Sequence, residues 1–247
     1  MPYNACSKTD IQDRFNMAST HWVKESAFGI WFLNTDMWQQ RVLKRALDDL
    51  DTLLPDNRPA YSAILDIGCG RGHALRMLDQ RFHPAHISAI EIDDALIGDA
   101  VRQAERCRCP VTVTAGNAEA LPYADQSFDM VFCHQSFHHI VQHEKAMQEF
   151  YRVLKTGGVL LFAESCQKFI HSFLIRLLFR HPMHVQKTAD EYVALIRQSG
   201  FEVDPKAIST PYLWWSRPDV GALEWFGFGV PENREETLLN LVAMKGF

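Results

Sequence analysis

Residues 64–73 read ILDIGCGRGH. Asp66 stands two places before Gly68, and Gly70 and Gly72 follow at alternate positions. Glycines this close together let a backbone approach a ligand, and a helix opening at Gly72 would offer unpaired N–H groups. The spacing argues against the common nucleotide partners. A dinucleotide fingerprint wants a third glycine where this chain has His73, and a phosphate loop wants lysine followed by serine or threonine. A carboxylate at Asp66 repels a diphosphate and favours a cation. Glu91 ends the next apolar run, SAIEID, about 20 residues after the glycines, where a carboxylate can accept two hydrogen bonds from a ribose diol. The ligand described by these residues is a nucleoside with a ribose diol, a positive or zwitterionic tail and no diphosphate.

Proton chemistry points to a second cluster. His134, His138, His139 and His143 crowd into CHQSFHHIVQHE, and imidazole titrates near neutral pH. His139 and His138 are the candidate catalytic bases, set against a structural role for the FHHI turn. Glu164 ends the apolar run VLLFAE and is a candidate to orient substrate or accept a proton, or simply to cap the next turn. No metal is expected. His139 and His143 stand at i, i+4, but cysteine and carboxylate support is poor. Cys107 and Cys109, in CRC, read as a surface loop.

These groups need elements to hold them. AILDI (63–67), HISAIEI (86–92), VTVTA (111–115), SFDMVFC (127–133) and VLLFAE (159–164) are short apolar or alternating runs that read as strands. Between them ALRMLDQRF (74–82), DALIGDAVRQAERC (94–107) and EKAMQEFYRVL (144–154) read as helices, the second capped by Asp93 or Asp94 and the third ended by KTGG. Strand–helix alternation of this kind gives right-handed crossovers and a doubly wound sheet. Upstream, 37–54 carries apolar residues at helical spacing and DNRP punctuates it. Downstream, FIHSFLIRLLF (169–179) reads as one helix with one apolar face, and Thr188 to Glu191 as a capping box whose helix ends at Gly200. FEVDPKAI contains a sixth strand, 210–231 is an aromatic loop, and TLLNLVAMKG (237–246) holds the last strand.

Four ordered blocks, ILDIGCGRG, AIEID, GNAEALPYADQSFDMVFCHQSFHHI and EFYRVLKTGGVLLFAE, resemble the class I S-adenosylmethionine-dependent methyltransferases, most of all the small-molecule group that includes the ubiquinone/menaquinone C-methyltransferases. The resemblance covers roughly residues 60 to 165, with a weaker echo at the final strand. It implies an α/β fold with a Rossmann-like, seven-stranded, mostly parallel sheet whose last strand is antiparallel. It implies S-adenosylmethionine as cofactor, with Asp66, Gly68, Cys69 and Gly70 around the methionine end and Glu91 on the ribose hydroxyls. Ile92 would pack on adenine, Asn117 and Ala118 would lie at its edge, and His134 would flank the cofactor near the reaction site. Asn117 departs from the aspartate frequent in that group, although its amide oxygen still accepts a hydrogen bond.

The resemblance also implies that the segments outside the sheet cover the substrate. The expected division is a helical segment over 1–60 and a cofactor-binding domain over 61–247, with cap insertions at about 166–187 and 210–232. Trp22, Trp31, Phe137, Trp214 and Trp215 are the substrate-facing candidates, and so many aromatics suggest an apolar or planar small-molecule acceptor. A macromolecular acceptor, tRNA or protein, and a non-catalytic cofactor-binding role are the competing readings. The chain of 247 residues has a net charge of −5 and no basic run, so no nucleic-acid partner is expected. No apolar run is long enough to cross a membrane, and the first residues lack a secretory pattern. Six cysteines, two of them inside apolar motifs, read as reduced residues of a cytoplasmic protein. The aromatic surface would suit a partner subunit as well as a substrate, which leaves a homodimer open.

Overall fold

The computed structural model describes residues 22–55 and 60–246. The DNRP punctuation and the first third of the expected N-terminal segment therefore lie outside the described residues. Eight strands form one sheet: β1 (Ala63–Ile67), β2 (His86–Glu91), β3 (Val111–Ala115), β4 (Phe128–His134), β5 (Leu154–Ser165), β6 (Phe201–Glu202), β7 (Ile208–Ser209) and β8 (Leu238–Lys245). Their order is β3-β2-β1-β4-β5-β8-β6, with β7 also paired to β8. The first five run parallel, and β8 inserts antiparallel between β5 and β6. The sequence expectation of seven strands becomes eight because the 201–209 segment touches β8 twice, two residues at a time, with a turn over Pro205–Ala207 interrupting it.

Burial explains why the strands were readable. All five residues of β1 are buried, as are the last five of β2, which is what a parallel strand covered on both faces requires. Helices pack on each side: α1 (Ala27–Phe32), α2 (Lys44–Leu53), α3 (His73–Phe82), α4 (Asp94–Ala104), α5 (His143–Val153), α6 (Gln167–Ile170), α7 (Phe173–Leu178), α8 (Ala189–Gln198) and α9 (Ala222–Trp225). Asp93 caps α4 through Ala95 N, and Thr188 and Glu191 form the capping box of α8. Helix α5 runs straight into β5 at Leu154, so KTGG belongs to the strand rather than to a separate stop.

Upstream of the sheet, α2 is preceded by a π-helical stretch over Met37–Leu43. Its Leu43, Leu47 and Leu50 are fully buried against β1, β4 and β5 residues, so this part of the upstream segment is sheet core. Residues 22–33 instead reach the cleft described below. The expected single helix over 169–179 is two short ones, separated at His171 and Ser172. Ser172 is extended (φ −63°, ψ 149°), which resets the helical phase. Ile170 and Ile175 stay buried while Phe173 and Leu177 turn out to solvent.

Candidate active site

The glycine loop sits at the C-terminal end of β1, the edge where open α/β sheets bind ligands. Gly68, Gly70 and Gly72 all have positive φ (63°, 55° and 81°). At two of them the packing also demands glycine. A Cβ on Gly68 would lie 2.5 Å from Cβ of Ser136, and one on Gly72 would lie 2.8 Å from Cα of Ala100 in α4. At Gly70 an added Cβ meets nothing within 4 Å, so the backbone there is open to a ligand.

Glu91 ties this loop to the end of β2. Its carboxylate accepts from the backbone N–H groups of Gly70 (2.7 Å), Ile92 (2.9 Å) and Asp93 (2.8 Å). Burial still holds its carboxyl above the ordinary value, against the pull of those three donors. Oε1 takes two of these bonds and Oε2 one, so a lone pair on Oε2 is left for a further donor. Asp66 is 2% exposed, and its Oδ2 has no hydrogen-bond partner among the described residues. Burial, with the nearby Glu91 charge adding to it, pushes Asp66 up to about 8. A buried, unpaired carboxyl two residues before a glycine loop is costly to the protein alone and suited to a cationic ligand.

One cleft of about 200 Å³ opens at this edge. Gly68, Gly70, Glu91, Ile92, Asn117 and Ala118 line it, together with Trp22, His138, His139, His181 and Trp215. Asn117 spends its Oδ1 on the backbone N–H of Glu119, which shapes the turn after β3. Asp66 and Cys69 flank the glycine loop, are buried and do not line the cleft as it stands. His134 also lies outside the main cleft. Its ring stacks on Phe132 and meets Trp38 edge-on, and burial pushes it down to about 4.

Three of the aromatic expectations are corrected. Phe137 is fully buried between Phe150, Phe162 and Tyr192, because the turn after β4 drives its ring into the core. Trp31 is 60% exposed and Trp214 is 49% exposed, and neither lines the cleft. Their neighbours Ile30, Phe32 and Trp215 do, since adjacent residues on a helical turn point different ways.

The turn after β4 brings the proton-handling groups together. Gln135 bridges β4 and β5 in a left-handed conformation (φ 50°), its N–H donating to Ala163 O and its Oε1 accepting from Ser165 Oγ. Glu164, fully buried, accepts from Ser136 N (2.8 Å) and Phe137 N (2.7 Å), and from His138 Nδ1 at 2.5 Å. It does not reach the cleft, so its part is to fix the turn and the His138 ring rather than to meet substrate. His139 directs Nδ1 at Val23 O (3.2 Å), and burial holds its imidazole well below the ordinary value. His143, expected as a possible partner of His139, turns inward instead. It stacks on Phe137 and donates from Nε2 to Phe137 O, and burial pushes it down to about 4.

The sequence reading missed Glu25, Gln135, Ser136 and His181 as cleft residues. Gln135 and Ser136 flank the recognised histidines, and only the strained turn reveals them. His181 stands in the insertion after α7, where no periodicity marks it.

The polar set fits the implied cofactor: an unpartnered buried carboxyl, an open glycine backbone and a carboxylate at the end of β2. Comparison with known proteins agrees. Residues 65–162 match a family model described as a methyltransferase domain. Over this segment the chain is similar to the class I, S-adenosylmethionine-dependent methyltransferase domains. It is 32% identical over 131 residues to a ubiquinone/menaquinone biosynthesis C-methyltransferase of Rhizobium etli, covering 52% of this chain and 50% of that one. It is 28% identical over 130 residues to a malonyl-[acyl-carrier protein] O-methyltransferase of Coxiella burnetii, covering 53% and 42%. The chain thus spans about half the length of the curated relatives it matches. A putative methyltransferase solved with the Haloferax volcanii Trm112 activator shares the fold at a TM-score of 0.67 and 19% identity, over 89% of this chain and 96% of that one.

Proposed function

We propose that the chain transfers a methyl group from S-adenosylmethionine to a small, apolar or aromatic acceptor. The observation that carries this reading is a single cleft lined both by the glycine loop with Glu91 and by an imidazole and aromatic cluster. In this reading Asp66 and the Gly68–Gly70 backbone hold the methionine end, Glu91 holds the ribose hydroxyls, and Ile92, Asn117 and Ala118 border the adenine. S-adenosylmethionine supplies an electrophilic methyl carbon on a sulfonium, open to in-line attack. The chain's own work is to align the acceptor, exclude water and receive a proton where the acceptor carries one.

Trp22, Phe32, Phe179 and Trp215 line the same cleft, which suits a planar or apolar acceptor. The relatives named above methylate carbon in one case and oxygen in the other by their names, so the acceptor atom is set by the cap rather than by the shared domain. The test is formation of S-adenosylhomocysteine in a screen of quinols, phenols and thiols. At least one class should turn over, and His139→Ala should lose turnover while keeping cofactor affinity. Turnover with none of them, but with a protein or tRNA acceptor, would contradict the small-molecule assignment.

A further inference from the structure

Three imidazoles from two distant parts of the chain meet in the cleft. His138 and His139 come from the turn after β4, and His181 comes from the insertion after β5. Their ring centroids lie 4.5, 4.9 and 5.0 Å apart, and one nitrogen from each lies within 4.8 Å of the others. We propose that His138, His139 and His181 bind one divalent transition-metal ion, zinc or a first-row relative.

The surrounding hydrogen bonds set the rings as metal sites do. A ligating histidine donates its other ring N–H to a carboxylate or a backbone carbonyl, which fixes the tautomer and leaves the second nitrogen free to coordinate. His138 gives Nδ1 to the Glu164 carboxylate, and His139 gives Nδ1 to Val23 O. In both, Nε2 is the ring nitrogen that these bonds leave available. His181 has a buried Nδ1 with no hydrogen-bond partner among the described residues, an orphan that an ion would satisfy. Glu25 stands 3.7 Å from His139 Nε2 through Oε2, while its Oε1 accepts from Arg180 N beside His181. It is placed as a hydrogen-bond partner to a water or acceptor bound at the ion. Imidazole suits zinc, iron, cobalt or nickel and not magnesium or calcium. A tetrahedral set with bonds of about 2.0–2.1 Å needs ligand nitrogens about 3.3 Å apart, so the rings close inward by about 1.5 Å at most.

Three imidazoles leave a coordination position open, as catalytic rather than structural sites do. The role of that position rests on the function proposed above, whereas binding of the ion does not. An acceptor O–H or S–H coordinated there gives up its proton to solvent near neutral pH. This specifies the acceptor class as one carrying an ionisable hydroxyl or thiol.

The experiment is titration of chelator-stripped protein with Co2+, with no methyl donor present, read by visible absorption. One equivalent should bind with the intense d–d bands of a four- or five-coordinate site. His181→Ala should weaken binding tenfold or more and leave S-adenosylmethionine affinity unchanged, while His171→Ala, at an exposed histidine, should change nothing. X-ray absorption of the zinc-loaded wild-type protein should count three imidazole ligands, a readout that needs no variant. A folded, stripped wild type that takes up no Co2+, an unaltered spectrum in His181→Ala, or fewer than three imidazoles would overturn the proposal. Loss of cofactor binding in the unmetallated wild type would strike the methyl-transfer reading instead and leave the ion site standing.

Discussion

Asp66 shows how a single side chain ties stability to binding. Its carboxyl titrates at about 8 in the folded protein against an ordinary value of 3.8. The folded state therefore holds a proton that the unfolded state has shed, and Asp66 costs stability progressively as pH rises from about 4 to 8. A cationic ligand needs the ionised form, so the proton must leave on binding. Cofactor affinity should rise about tenfold per pH unit below about 8 and level off above it, with proton release visible as a buffer-dependent binding enthalpy. Asp66→Asn should remove that pH dependence and weaken binding at least tenfold; an unchanged affinity would mean that the carboxyl does not meet the ligand. Glu164 belongs to the same scale. Two backbone N–H groups and His138 depend on it, so Glu164→Gln should destabilise by about 1–3 kcal/mol and lower kcat, with cofactor affinity kept.

At the scale of elements, the glycine loop and helix α4 constrain each other. Gly72→Ala would place a Cβ against the α4 backbone in a left-handed conformation, which alone costs about 1–2 kcal/mol, and the contact at 2.8 Å adds to it. Gly70→Ala meets no neighbour, so denaturant melts should show the smaller loss there and calorimetry the larger loss of cofactor affinity. This pair separates packing from ligand approach within one loop.

The elements that the sequence made legible are those whose burial follows a local rule. AILDI reads as a strand because both its faces are covered, and TADE reads as a helix start because its capping box is local. FIHSFLIRLLF keeps a helical period on paper, yet Ser172 breaks it, and nothing in the spacing of the apolar residues records a phase reset. Phe137, Trp31 and Trp214 show the same limit for side chains. An aromatic residue is equally apolar in a core, on a surface or in a cleft, and only tertiary packing decides. His181 was invisible for a related reason, since it joins its partners across a long stretch of chain.

For the whole molecule, buried neutral histidines set the acid limit. His134 and His143 titrate at about 4 when folded, both chiefly through burial, against about 6.5 when unfolded. The unfolded state binds the extra protons, so stability falls as pH drops from about 6.5 toward 4, by up to about 1.4 kcal/mol per pH unit for each proton. With Asp66 eroding stability on the alkaline side, the denaturant midpoint should peak between these limits. A midpoint flat from pH 7 to 4 would mean that these rings charge without unfolding. Among the described residues no helix is long and apolar enough to cross a membrane.

The most direct measurement of the central claim is titration calorimetry with S-adenosylmethionine, S-adenosylhomocysteine and NAD. The cleft predicts one site per chain, micromolar binding of the first two and none of NAD, because Asp66 and the missing third glycine disfavour a diphosphate. Binding of NAD, or of none of the three, would contradict the assignment of this loop.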